Sequence, residues 1–170
     1  MANDAFDPIA LLQALDRERV TYIVIGGLGR VIQGSDELTD GVDIVPSMRE
    51  DNLSRLGVAL DALKAGRFDG GQLVLERDLA AQSVLTLSTG AGELKLVPQP
   101  AGTRGYDDLR RGASREALGR GLRPRVASLG DHARMLAALD READRGHLRT
   151  VNRLIELERE LHPRGRLIER

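Results

Sequence analysis

The segment "GGLGRVIQGSDELTDGVDIVP", residues 26 to 46, carries the strongest indication of the fold and of a site in this chain. The four residues before it, 22–25, are apolar and mostly β-branched or aromatic, which is typical of a strand covered on both faces. A glycine pair ends that strand, and a second strand carries Asp43 between two apolar residues. Gly41 lies two residues before Asp43 and so on the same face of the strand. The arrangement predicts a site for a phosphate and a metal ion.

The composition is that of an ordinary globular protein. The chain has 170 residues, of which 41% are hydrophobic and 30% charged, enough for one domain or one domain with a small helical appendage. It contains no cysteine, which excludes disulfides and thiol chemistry. The N-terminal residues lack a signal-peptide pattern, and no apolar run approaches the length of a membrane span. We therefore expect a cytoplasmic protein with no membrane partner.

Charge is unevenly distributed along the chain. Residues 1–100 hold 9 Lys and Arg against 15 Asp and Glu, whereas residues 101–170 hold 16 Arg against 11 Asp and Glu. The basic half is either a solvated surface, a partner for the acidic half or for another subunit, or an anion-binding surface. In the last case, Arg104, Arg110 and Arg111 are the candidates for contacts with RNA or a triphosphate.

Hydrophobic periodicity predicts a mixed α/β (α+β) fold, in which helices flank a small mixed sheet and a C-terminal helical hairpin follows. We divide the chain into an α/β core, residues 1–112, and an arginine-rich connector with the hairpin, residues 113–170. The predicted strands are 21–25, 41–45, 73–77, 83–88 and 93–97. The predicted helices are 8–18, 28–33, one from a Ser47–Glu50 capping box to Gly66, 106–112, 129–143 and 147–161.

The order of these motifs resembles the nucleotidyltransferase superfamily, whose signature is a hydrophobic residue, Gly, Gly or Ser, a short spacer and Asp-x-Asp. Gly26-Gly27 and Gly41-Val42-Asp43-Ile44 occupy those places. The likeness is closer to the bacterial group that includes the AbiEii/AbiGii-type toxins. Further matches to that group are Gly34-Ser35, Thr39, Gly92–Leu96, Pro100-Ala101-Gly102 with Gly105-Tyr106 and Leu109, and "VASLGDHARML" from Val126 to Leu136.

The resemblance implies roles for particular residues. Backbone N–H groups at Gly26 and Gly27, with Gly34 and Ser35, would bind the phosphates of a nucleotide. Carboxylates at i and i+2 of one strand, together with a third from a neighbouring strand, would hold Mg²⁺. The third carboxylate would also accept the proton of the attacking hydroxyl.

This sequence departs from that pattern at four positions. Gly41 replaces the first carboxylate and Lys95 replaces the third, so that Asp43 alone remains. The formal charge of the three positions rises from about −3 to about 0, and hard divalent ions need anionic oxygen ligands. Glu37 stands where an arginine is common, and Leu136 where a lysine is. We therefore expect no cofactor, a degenerate catalytic site, and an ion pair between Lys95 and Asp43.

The alternative is an active, metal-dependent enzyme. Glu93 lies two residues before Lys95 on the same face, and Asp40 could turn inward through a bulge. With Asp43, either residue could bind Mg²⁺ if the chain transfers a nucleoside monophosphate to RNA or another acceptor.

Three hypotheses for the function follow. The first is a pseudoenzyme whose cleft binds a nucleotide, RNA or an antitoxin-like protein partner. The second is the active transferase, and the third is a structural module whose cleft is vestigial. A dinucleotide site at Gly27-Leu28-Gly29 lacks its third glycine, because Ile32 occupies that position. The three histidines suit no metal spacing and are interpreted as surface or helix-packing residues.

Overall fold

The computed structural model describes residues 5–81 and 83–162. Within them a seven-stranded mixed sheet has the order β3-β4-β5-β2-β1-β7-β6. The strands are β1 (Tyr22–Ile25), β2 (Gly41–Pro46), β3 (Gly66–Arg67), β4 (Leu85–Thr89), β5 (Gly92–Leu96), β6 (Ser114–Arg115) and β7 (Arg125–Val126). Strand β1 is antiparallel to β2 and parallel to β7, and β2 is parallel to β5. The predicted mixed α/β architecture is confirmed.

Helices cover both faces of this sheet. They are α1 (Pro8–Arg17), α2 (Gly26–Ile32), α3 (Glu50–Ala62), α4 (Leu75–Ala81), α5 (Tyr106–Leu109), α6 (Leu129–Leu139) and α7 (Arg145–Leu161). Helix α1 begins as its sequence predicts, because the Asp7 carboxylate accepts a hydrogen bond from the Ala10 N–H at 3.0 Å and Pro8 follows the cap. In the described ranges, no helix combines the length and the apolar character needed to cross a membrane.

Alternate residues of the central strands pack into two different cores. Val24 of β1 and Ile44 of β2 join the larger core with α1 and α3, whereas Ile23 and Val45 join a smaller core with α5 and α6. Burial on both faces explains why β1 is apolar throughout, as its sequence predicts. Asp43 lies two residues before Val45 in β2 and therefore projects from the same face as Val45, toward α5 and α6.

One predicted strand is wrong. Residues 73–77 are apolar at three successive positions, but the second half of the segment belongs to α4 (Leu75–Ala81). The Asp78 carboxylate accepts a hydrogen bond from the Val74 N–H at 2.9 Å and thereby closes the first turn of the helix, and Leu79 enters the larger core. Periodicity over five residues does not separate a short strand from a helix end.

The arginine-rich connector is more regular than expected. Its segment 114–126 forms a hairpin whose strands β6 and β7 extend the sheet beyond β1. The division of the chain at residue 112 stays a prediction, although the sheet continues past it. Helix α6 ends at Leu139, four residues earlier than predicted, because Asp140 adopts a left-handed conformation with φ 48°.

Two other helix starts also differ from prediction. Helix α2 begins at Gly26, directly after β1, and not at residue 28. The capping box predicted at Ser47 does not form, because α3 begins at Glu50 and its cap residue, Arg49, makes no side-chain cap bond. Ser47 is instead buried at the end of β2.

Asn52 fastens α3 to the sheet. Its side chain is 1% exposed, and its Oδ1 accepts a hydrogen bond from the Thr21 N–H at 2.7 Å. Its Nδ2 donates to the carbonyl oxygens of Thr21 at 2.9 Å and Ser47 at 2.7 Å. One amide therefore satisfies three backbone groups where β1 begins and β2 ends.

Replacing Asn52 by Ala removes the partner that Asn52 supplies to the Thr21 N–H and to the Ser47 carbonyl oxygen, and leaves the Thr21 carbonyl oxygen with the Ser47 N–H alone. We expect the free energy of unfolding to fall by about 2–4 kcal/mol, measured by urea denaturation. The control is Ser54→Ala on the exposed side of the same helix, which should change it by less than about 0.5 kcal/mol. Equal effects of the two substitutions would contradict the role assigned to Asn52.

Candidate functional site

The parallel pairing of β2 with β5 gathers four polar or small positions on one face of the sheet. Gly41 is opposite Glu93, and Asp43 is opposite Lys95. Paired residues of parallel strands project from the same face, as do residues two apart in one strand. The structure thus places Asp43 beside Lys95, as strand parity predicts.

Asp43 lies directly against Gly26. A Cβ atom built on Gly26 would overlap the Asp43 carboxylate, and Gly26 has a φ of 65°, which favours glycine. Burial raises the pKa of Asp43, while the charges of Lys95 and Arg30 act in the opposite direction. Glycine is therefore needed at position 26 for two reasons: it lets the Asp43 carboxylate approach, and it adopts the left-handed backbone conformation found there.

Lys95 forms its ion pair with Glu93. The distance from Lys95 Nζ to Glu93 Oε1 is 3.5 Å, whereas no ion pair within 4.0 Å joins Lys95 to Asp43, both of which the structure describes. The expected Lys95–Asp43 pair is thus replaced by a pair along one strand. Lys95 still acts on Asp43 through space, since its charge lowers the pKa of that carboxyl.

These residues do not fit a magnesium site. Among residues 5–81 and 83–162, no three acidic or histidine side chains are grouped so that they could hold a metal ion. Asp43 has a lysine beside it, and Glu93 is engaged by that same lysine. A hard cation needs several anionic or neutral oxygen ligands without a competing ammonium group.

A cavity of about 490 Å³ opens in front of Asp43 and Lys95. Its polar wall includes Arg30 and Arg141, and its apolar wall includes Val97 and Met135. The remaining lining comes from the end of β1 and the glycine pair after it, Ser83 and Val84 before β4, the segment after β5 and further residues of α6. The cavity lies between the sheet and α6, so the C-terminal helices complete the site.

Glu37 lies behind the cavity wall, over the second glycine and against Arg30, both of which line the cavity. Its carboxylate accepts two hydrogen bonds from Arg30, at 2.9 and 2.8 Å, and one from the Ser35 hydroxyl at 2.9 Å. His147 Nδ1 lies 3.4 Å from the same carboxylate. Burial alone would raise the pKa of Glu37, but the hydrogen bonds and charge of Arg30, with Ser35 and His147, hold it below its usual range.

His132 is the buried histidine of the site. It is 1% exposed, its Nε2 has no hydrogen-bond partner among the described residues, and its ring packs against Gly29. Burial, assisted by the charge of Arg30, lowers the pKa of His132 to about 4. The imidazole is therefore neutral at neutral pH and forms part of the cavity wall.

Sequence reasoning missed Arg30 and His147 and read His132 only as a surface or packing residue. Arg30 follows Gly26 by four residues, which places both on one side of α2. That spacing is a usable signal for Arg30. No sequence signal indicates that His147 of α7 reaches Glu37, because the two residues are 110 positions apart and only packing brings them together.

Other predicted site residues lie elsewhere. Gly34 has a φ of 114° and packs against Leu154 of α7. Asp40 is exposed just before β2. The predicted anion contacts Arg104, Arg110 and Arg111 are not in the cavity wall, and Arg110 pairs with Asp107 at 3.5 Å.

Comparisons with known proteins support the fold. A comparison with models of protein families gives no match, and a search of curated proteins gives none either. Among solved structures, the chain is similar to the solution structure of the antibiotic-resistance factor ANT(2'')-Ia, a nucleotidyltransferase. The TM-score is 0.55 at 16% identity, over 85% of this chain and 78% of that one. The chain therefore has a nucleotidyltransferase-type fold.

Replacing Lys95 by Gln should raise the pKa of Asp43 further, because the attractive charge is lost while the carboxyl stays buried. Titration of the carboxyl carbon by NMR measures the shift. Lys64→Gln, which changes the other lysine of the chain, is the control and should leave Asp43 unaffected. An unchanged pKa in Lys95→Gln would show that burial alone sets it.

His132 should make stability depend on pH. Its folded pKa of about 4 lies below its ordinary value of 6.5, so the unfolded state binds more protons between these values. Stability is therefore lost as the pH falls through this window. From about pH 8 to about pH 5, the wild type should lose about 2 kcal/mol more than His132→Leu in urea unfolding.

The control for this comparison is His162→Leu, which changes an exposed histidine at the end of α7. It should keep the pH dependence of the wild type. A His132→Leu variant with that same dependence would show that His132 is not the group responsible.

Proposed function

We propose that this chain is a nucleotide-binding protein that has lost metal-dependent nucleotidyl transfer. The observation that carries the proposal is the composition of one patch, in which Gly41, Asp43, Glu93 and Lys95 share a face of the sheet. This patch keeps one of the three carboxylates that the resemblance implies. Its ammonium group occupies the position of another.

The cavity suits a nucleotide in size and chemistry. Its volume of about 490 Å³ falls in the range of about 300–1,000 Å³ that is usual for small-molecule sites. Met135 and Leu139 supply an apolar surface for a base, and Arg30, Lys95 and Arg141, each ion-paired with a carboxylate of the chain, are the cations for which phosphates would compete. Because the three predicted RNA-contacting arginines lie outside this wall, a mononucleotide is favoured over RNA.

The loss of transfer activity follows from the charges at the patch. In-line transfer from a triphosphate needs a metal to neutralise the departing pyrophosphate and align the attacking group. Asp43 lies against Gly26 and beside Lys95, which repels a divalent ion. Lys95 can contribute charge to the binding of phosphates, but it cannot accept the proton of an attacking hydroxyl while it is protonated.

The second candidate function is an active transferase that uses Glu93 as a substitute ligand. Glu93 Oε1 lies 3.7 Å from the position of a Cβ atom on Gly41, so a carboxylate is already close to where the missing one would be. Asp43 and Glu93 would then hold Mg²⁺, which would supply charge neutralisation and activation of the nucleophile. This function requires Lys95 to leave Glu93.

The test measures binding and transfer separately. We expect calorimetry to detect binding of nucleoside triphosphates by the wild-type chain without metal. Incubation with labelled triphosphate and Mg²⁺ or Mn²⁺ should transfer no label to the protein or to RNA. Absence of nucleotide binding would contradict the proposed function, and metal-dependent transfer would support the second candidate.

A double substitution, Gly41→Asp with Lys95→Asp, should restore binding of Mn²⁺. It removes the competing ammonium group and provides three carboxylates on one face with Asp43. A Cβ atom at position 41 would lie 3.2 Å from the Glu93 carbonyl oxygen, so a small local shift accompanies the change. The control is Gly57→Asp with Lys64→Asp, which adds the same charge on and after α3, where a Cβ atom on Gly57 meets nothing within 4 Å.

A further inference from the structure

Glu37 accepts hydrogen bonds from two parts of the chain and lies close to an imidazole from a third. Arg30 comes from α2, Ser35 from the segment after it, and His147 from α7. Arg30 and Glu37 meet through two parallel hydrogen bonds, and their side chains are only 12% and 10% exposed. A guanidinium, a hydroxyl and an imidazole converging on one point form a set of donors suited to an oxyanion.

The carboxylate of Glu37 also borders the wall of the large cavity. A Cβ atom built on Gly27 would lie 3.2 Å from Glu37 Oε1, so the carboxylate rests in the space that this glycine leaves open. Gly27 and Arg30 both belong to the wall of the large cavity. An oxyanion entering through the cavity would therefore meet the same guanidinium and the same open backbone.

The segment that carries Glu37 is hydrogen-bonded at its ends, through the Ser35 N–H and the Thr39 hydroxyl, and the two residues beside Glu37 are exposed. Residues 35–39 have no regular secondary structure, and Leu38, next to Glu37, is fully exposed. Asp36 on the other side is exposed as well. Because neither neighbour is buried, withdrawal of Glu37 would cost little beyond the loss of its own hydrogen bonds and ion pair.

We propose that Glu37 is an internal anion that lies over Gly27, beside the cavity wall, and competes with a phosphate group of the ligand for Arg30, the one of its partners that lines the cavity. The identification of that ligand as a nucleotide rests on the proposed function, whereas the competition itself rests on the contacts of Glu37. Phosphate geometry matches the forked donors of arginine as well as a carboxylate does. In the wild-type chain Glu37 therefore occupies Arg30, and the affinity for a phosphate group is low.

The test compares the wild type with Glu37→Ala in binding inorganic tripolyphosphate and ATP by calorimetry. Removing the competing carboxylate should tighten binding of tripolyphosphate by about tenfold or more, as expected when a charge-assisted bidentate contact becomes available. Glu50→Ala, which removes one negative charge from the exposed start of α3, is the control and should change the affinity less than about twofold. The double variant Arg30→Ala with Glu37→Ala should lose the gain.

Thermal unfolding provides a second readout. Glu37→Ala leaves the nearly buried Arg30 without its partner, so the Tm of the variant should fall and tripolyphosphate should raise that Tm more than it raises the Tm of the wild type. Glu37→Gln keeps the size of the side chain while removing its charge, and serves if the alanine variant fails to fold. It should also bind tripolyphosphate more tightly than the wild type.

The outcomes separate this inference from the proposed function. If ATP binds the wild type and both Glu37 variants equally, the internal anion is disproved while nucleotide binding stands. If tripolyphosphate binding tightens in the variants but none of the proteins prefers ATP to tripolyphosphate, the internal anion stands and nucleotide recognition fails. No gain for either ligand overturns the inference.

Discussion

The parallel pairing of β2 with β5 is the constraint on which the site depends. Leu94 and Leu96 project into the larger core, so Glu93 and Lys95 must project to the other side. A slip of one residue would bury Lys95 in that core, at a high cost in desolvation. Apolar packing on one face of the sheet therefore determines which polar groups meet Asp43 on the other.

Carboxylates of the chain itself fill the spaces above both glycines. Asp43 lies against Gly26, and Glu37 lies over Gly27. Each is close to a cation, since Asp43 is influenced by Lys95 and Glu37 is hydrogen-bonded to Arg30. Glycine thus has the same physical use at both positions, the close approach of an oxyanion.

The two C-terminal helices, α6 and α7, contribute side chains to the candidate site beside those of the sheet. Helix α6 brings His132 and Met135 to the cavity, and α7 brings His147 to Glu37. These helices pack on each other through Leu136 and Val151. A change in how they pack would therefore alter both the apolar wall of the cavity and the support of the Glu37 carboxylate.

Local signals in the sequence predicted most of the longer helices and strands and part of the topology. Glycines, caps and period-two alternation are local signals, and they predicted β1, β2, the β4–β5 hairpin and the shared face of Asp43 and Lys95. Tertiary packing determines that Lys95 pairs with Glu93, that the arginine-rich segment extends the sheet, and that Glu37 lies over Gly27. For Lys95 and Glu37, several oppositely charged residues lie within reach of the side chain. The β6–β7 extension joins segments that are distant in the sequence. Each outcome depends on packing and on three-dimensional distance, which no local pattern of residues records.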